Sequence, residues 1–105
     1  MVEKSLRSPN SGSNPRVVRS SLQNKKLYIT FDVDSFDSGI MPATGTPEPG
    51  GLLWDETLNI IKIAAKNSNI VGADINELAP IKGFNSYNFL VAKLAYKILS
   101  YKYLY

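Results

Sequence analysis

The sequence predicts an α/β fold, a β-α-β-α segment whose two strands run parallel. Three observations carry this reading. The stretch LYITFDVD, residues 27–34, alternates Leu27, Ile29, Phe31 and Val33 with Tyr28, Thr30, Asp32 and Asp34, the period of a half-buried strand. Trp54, Leu58, Ile61 and Ala65 recur at helical spacing over residues 54–67. NIVGADINEL, residues 69–78, opens as a nearly continuous apolar run, as a strand inside a parallel sheet does. Strand, helix, strand in that order implies a right-handed crossover.

Each element follows from its residues. Residues 1–26 are rich in Ser, Asn, Pro and Gly, with few large apolar side chains, and read as a disordered basic leader. The folded part is expected to be residues 27–105. β-branched and aromatic residues dominate the first strand. Residues 35–51 form a long loop punctuated by Gly39, Pro42, Gly45, Pro47, Pro49, Gly50 and Gly51. The first helix carries Asp55 and Glu56 in its opening turn, where the helix dipole favours acids, but has Leu53 at its N-cap position. Pro80 stops the second strand. A last helix is expected over residues 87–101, with Leu90, Leu94, Ile98 and Tyr101 on its apolar face and Lys93 and Lys97 toward solvent. Two strands cannot bury both faces of a parallel sheet, so the segment belongs to a larger one. Leu27, Ile29, Val71 and Ile75 are expected to be partly uncovered without those neighbours.

Composition narrows the function. The chain has 105 residues, one domain at most, and a net charge of +3. Lys4, Arg7, Arg16, Arg19, Lys25 and Lys26 face only Glu3 in the leader, so the positive balance sits there. A solvated basic tail explains it, and no nucleic-acid partner is expected. No apolar run approaches the roughly 18 residues that span a bilayer, and the N-terminus lacks a signal-peptide core. A cytoplasmic chain with no membrane partner is expected. There is no Cys and no His, so thiolate sites and the commonest general base at neutral pH are both absent.

The candidate chemistry lies in FDVDSFDSGIMPATGTPEPGG, residues 31–51. On a strand, Asp32 and Asp34 project to one face at the C-terminal end, where open parallel sheets bind ligands. Two converging carboxylates repel unless a proton or a cation is shared between them. Divalent ions answer that need; so does a simpler arrangement in which both oxygens begin a loop and accept backbone N–H bonds. The pattern alone leaves both open. A calcium loop of the EF-hand type fails, with Phe36 and Ala43 at its fifth and twelfth positions. A phosphate loop fails for want of GK[ST]. A strand followed by D-x-D also opens the haloacid-dehalogenase-type phosphatases, but Phe36 stands where that family's pattern has Thr.

The whole stretch resembles the signature of the ureohydrolases, the arginases and agmatinases. Thr30, Asp32, Asp34, Asp37, Pro42, Ala43, Thr44, Gly45, Thr46 and Pro47 meet it, and Ser38 departs from it where the family usually has Pro. GGLLWDETL and VGADINELAP continue the resemblance, which covers residues 27–101 and is nearer to agmatinases than to arginases. It implies the C-terminal part of a three-layer α/β/α fold. It also implies hydrolysis of a guanidinium group to urea and an amine, with two manganese ions as cofactor. Asp32 would bridge the metals and Asp34 would ligate one. Glu77 would pair with the substrate guanidinium, Thr46 would stand beside the substrate, and Asp74 would support the metal ligands from behind. Convergence of Asp32, Asp34 and Glu77 at one edge is expected. The family's upstream patterns, G-G-D-H and D-A-H-x-D, do not occur here. A complementing upstream chain or oligomer partner is therefore expected, the alternative being a catalytically dead piece that can only associate with a complete relative.

Overall fold

A computed structural model describes residues 25–105. The expected leader lies outside the described residues, apart from Lys25 and Lys26, which open the first strand. The elements are β1 (Lys25–Asp32), a 3-10 turn (Val33–Ser35), α1 (Trp54–Asn67), β2 (Ser68–Asn76) and α2 (Asn85–Leu104). β1 and β2 pair in parallel, from Lys25 opposite Ser68 to Asp32 opposite Asn76, with one irregularity between Leu27 and Tyr28. The β-α-β-α order and the parallel sheet are as the sequence predicts.

The alternation in β1 sets the core. Leu27, Ile29, Phe31 and Val33 are buried together with Ile70 of β2, Ile60, Ile61, Ala64 and Ala65 of α1, and Leu94 and Ile98 of α2. Both helices thus share one cluster with one face of the sheet. The expected exposure of Leu27 and Ile29 is corrected: both are buried, in one cluster with side chains of the two helices and of the β1–α1 loop. Val71 does stand exposed, at 55%, and Ile75 is partly buried. The buried stripe of α1 runs through Thr57, Ile60, Ile61, Ala64 and Ala65, with Trp54 and Leu58 at its margin. Glu56 replaces the missing cap, its Oε1 accepting from Leu53 N at 3.3 Å.

α2 is longer at both ends than its apolar spacing suggests and is apolar on more than one side. Leu94 and Ile98 are buried, while Phe89, Tyr96, Leu99 and Tyr103 are exposed. Lys97 is half-buried, contrary to its expected place in solvent. Lys93 lies with its Nζ 6.0 Å from the centre of the Trp54 ring.

The loop between β1 and α1 is part of the fold. Phe36, Met41, Ala43, Thr44 and Leu52 are buried, and Phe36 packs between Phe31 and Trp54 at centroid distances of 5.1 and 6.1 Å. Thr44 bridges antiparallel to Leu78, and Ala79 N donates to Ala43 O at 2.8 Å. The buried base thereby lies alongside the segment that follows β2, while residues 45–50 stay exposed.

Candidate functional site

The expected i, i+2 projection of Asp32 and Asp34 from one extended strand is not what forms. β1 ends at Asp32, whose Oδ1 accepts from Asp34 N at 3.1 Å and caps the 3-10 turn. A short carboxylate that bonds the backbone two residues on turns the chain at that point. Asp34 therefore sits in the turn, and Thr46 Oγ1 donates to its Oδ2 at 2.9 Å. The loop tip is bent back over the strand end by this contact.

Glu77 is the first residue beyond β2, next to Asn76, which lies opposite Asp32. It is exposed and has φ 73, the left-handed region that non-glycine residues seldom occupy. The cause is local: β2 runs parallel to β1, but Leu78 pairs antiparallel with Thr44, and Glu77 stands where the direction changes. The backbones of Asp32, Asp34 and Glu77 thus lie at the C-terminal end of the two strands, with Thr46 tied there through Asp34.

Asp74 lies one step back along β2, opposite Thr30. Its Oδ2 accepts from Thr30 Oγ1 at 3.4 Å, and its Oδ1 accepts from Asn76 Nδ2. The Tyr28 phenol is raised above its ordinary value, first by hydrogen bonding to this carboxylate, then by desolvation and by the carboxylate's charge. Asp74 is therefore built into a polar group on the sheet face that carries Tyr28 and Thr30.

The sequence reading assigned Asp37 no role of its own. In the structure its Oδ2 accepts from Gly39 N at 2.8 Å and its Oδ1 from Gly50 N at 2.7 Å. The Gly39 amide first, then that of Gly50, holds its carboxyl below the usual value. An Asp two residues before a Gly, as in Asp-Ser-Gly, is the signal that could have pointed to this turn.

Carboxylate oxygens of the kind that Asp32 and Asp34 offer suit manganese. Yet among the described residues no group of three or more His, Cys, Asp or Glu is placed to hold a metal. The two aspartates by themselves do not fit a two-metal centre.

The chain resembles known proteins over most of its length. The arginase family matches residues 10–100, so the match begins within the stretch read as leader. An N(1)-aminopropylagmatine ureohydrolase of Synechocystis is 45% identical over 82 residues, covering 78% of this chain and 27% of that protein. An agmatinase of Blochmanniella floridana is 45% identical over 62 residues, covering 59% of this chain and 20% of its own length. The solved proclavaminate amidino hydrolase of Streptomyces clavuligerus superposes with a TM-score of 0.76 at 28% identity, over 87% of this chain and 30% of that one. The chain spans about a quarter of the length of the curated relatives it matches.

Proposed function

The chain belongs to the arginase family, and from that premise we propose that it is the C-terminal, carboxylate-bearing part of an agmatinase-like amidinohydrolase. The reaction is hydrolysis of a guanidinium C–N bond, releasing urea and an amine. The gathering of Asp32, Asp34, Thr46 and Glu77 at one end of the sheet supports this reading above any other observation. A guanidinium is a planar cation whose N–H groups match a carboxylate two at a time, and Glu77 supplies that carboxylate. Thr46, tied to Asp34, lines the place beside it. Asp32 and Asp34 are the manganese-facing pair. The remaining metal donors of the family patterns are not among these 105 residues, and a complementing polypeptide or an oligomer partner is the source proposed for them. Agmatine and its aminopropyl derivative are the substrates of choice, since the chain resembles relatives named for each.

The test is urea release. The 105-residue chain with manganese and either substrate is expected to release none. Mixing it with a polypeptide that carries the G-G-D-H and D-A-H-x-D patterns is expected to give release, abolished by Asp34→Ala. Manganese-dependent release by the chain alone would overturn the need for outside donors. Stable association with that polypeptide but no urea from either substrate would favour the second reading, an inactive piece, which the lack of a three-residue metal group among the described residues supports.

A further inference from the structure

We infer that Asp37 is the positioning residue of the loop over residues 38–52: its carboxylate ties the two limbs together and thereby sets Thr46 against Asp34. The first limb has other anchors. Met41, Ala43 and Thr44 are buried, and Ala43 O accepts from Ala79 N beyond β2. The second limb, from Glu48 to Gly50, is exposed, and its contacts return to Asp37 and its neighbour. Gly50 N donates to Asp37 Oδ1 at 2.7 Å, and Ser38 N donates to Glu48 O at 3.0 Å. Asp37 meanwhile holds the first limb through Gly39 N on Oδ2, and through Ile40 N and Met41 N on its own carbonyl at 3.0 and 3.1 Å.

The neck beneath this tie leaves no slack. Asp37 N donates to Leu52 O, and Leu52 N to Ser35 O, each at 2.8 Å. A Cβ on Gly51 would stand 2.6 Å from the Phe36 carbonyl carbon and 2.7 Å from Asp37 N, so only glycine lets the limbs approach this closely. Thr46 lies on the exposed span between the two limbs, and its distance from Asp34 follows from where they are pinned. Charge-assisted bonds from backbone N–H to a carboxylate are stronger than neutral ones, which suits one side chain to holding two limbs. The bearing of this tie on guanidinium recognition rests on the amidinohydrolase reading; the tie itself does not.

Amide exchange and carbon chemical shifts on the isotope-labelled 105-residue chain test it. In the wild-type chain, the Gly39 and Gly50 amides are expected to exchange slowly although both glycines are exposed. In Asp37→Ala they should exchange about tenfold faster or more, the Thr46 methyl and Asp34 carboxyl resonances should move, and the Ile29 and Ala73 amides should keep their rates. Asp37→Asn retains one acceptor oxygen and should fall between the two. Unprotected Gly39 and Gly50 in the wild type would overturn the inference. So would an unchanged loop in Asp37→Ala, or a uniform loss of protection in Asp37→Asn that makes Asp37 a residue of general stability. Should Asp37→Ala not fold, the wild type and Asp37→Asn still decide. No manganese and no guanidinium enter these measurements, so failure of the proposed function and failure of this tie read out separately.

Discussion

On one face of the β1–β2 sheet, Leu27, Ile29 and Phe31 are buried in the core; on the other, Tyr28 stands 53% exposed across Gly72. The covered face is apolar and is finished by the chain's own helices. The open face carries Tyr28, Thr30 and Asp74, and its alternation leads to Asp32 at the strand end. Gly72 belongs to the same arrangement: a Cβ there would meet the Tyr28 ring at 2.8 Å, so the ring lies across β2 only because that position has no side chain. The difference separates two jobs. Burial on the first face stabilises the fold, whereas the second face is polar and leads to Asp32 at the strand end to which chemistry is ascribed. The described residues supply two layers of the three-layer α/β/α arrangement, the sheet and the helices on its covered face.

The sharpest break of this comparison would come from the covered face. Phe31 is fully buried and touches the Phe36 ring. Phe31→Ala is expected to cost about 3–5 kcal/mol, combining lost transfer energy with the cavity left behind. Tyr28→Phe on the open face, where Tyr28 is 53% exposed, is expected to change stability by no more than about 0.5 kcal/mol. Urea unfolding followed by circular dichroism measures both. Equal costs would mean that the open face is not open in solution.

The next test addresses the strand end. Glu77 holds a left-handed backbone, which costs a residue with a Cβ about 1–2 kcal/mol relative to its usual conformations. Glycine relieves that strain but loses more chain entropy on folding, by about 0.5–1 kcal/mol. Glu77→Gly is therefore expected to leave stability unchanged or raise it by up to about 1.5 kcal/mol. In the complemented enzyme it should raise KM for the guanidinium substrate. A variant that is less stable by more than that would mean that the Glu77 side chain supports the fold, and the separation of jobs would fail at this residue.

Much of this was legible in the sequence where local pattern decides. The period-2 run placed Leu27, Ile29, Phe31 and Val33 on one face, although Leu27 and Ile29 prove more covered than expected, and the helical spacing of Trp54, Leu58, Ile61 and Ala65 predicted α1 with its observed bounds. The departures are non-local or involve polar capping. Asp34 leaves the strand because Asp32 caps a turn, a competition between side chain and ladder that alternation does not encode. β2 stops before Glu77 rather than at Pro80, because Thr44, far off in sequence, takes up Leu78. Asp37 escaped notice as a separate residue because its two amide partners lie on opposite limbs of the loop. The apolar outer side of α2, with Phe89, Tyr96, Leu99 and Tyr103, was obscured by the simpler stripe through Leu94 and Ile98.

The smallest expected effect is on the open face itself. Asp74 accepts from Thr30 and Asn76 and raises the Tyr28 phenol above its ordinary value near 10.0. A phenol whose value is raised in the folded state binds its proton more tightly there than in the unfolded chain. The stability this contributes is fully present below the ordinary phenol value and is lost as pH rises through the raised one. Asp74→Asn removes the charge and weakens the acceptor, so the phenol should return toward its ordinary value. The measurement is a pH titration of the labelled Tyr28 ring carbon, which separates it from the other tyrosines. Stability near neutral pH should scarcely change, because both faces of this contact are wet and exposed polar pairs contribute little. If the Tyr28 titration is the same in both chains, the ring does not lie over Asp74 in solution and the polar group on the open face is not formed. If the titration shifts but stability falls as far as in Phe31→Ala, Asp74 belongs with the core, and the two faces of the sheet are less distinct than their exposure implies.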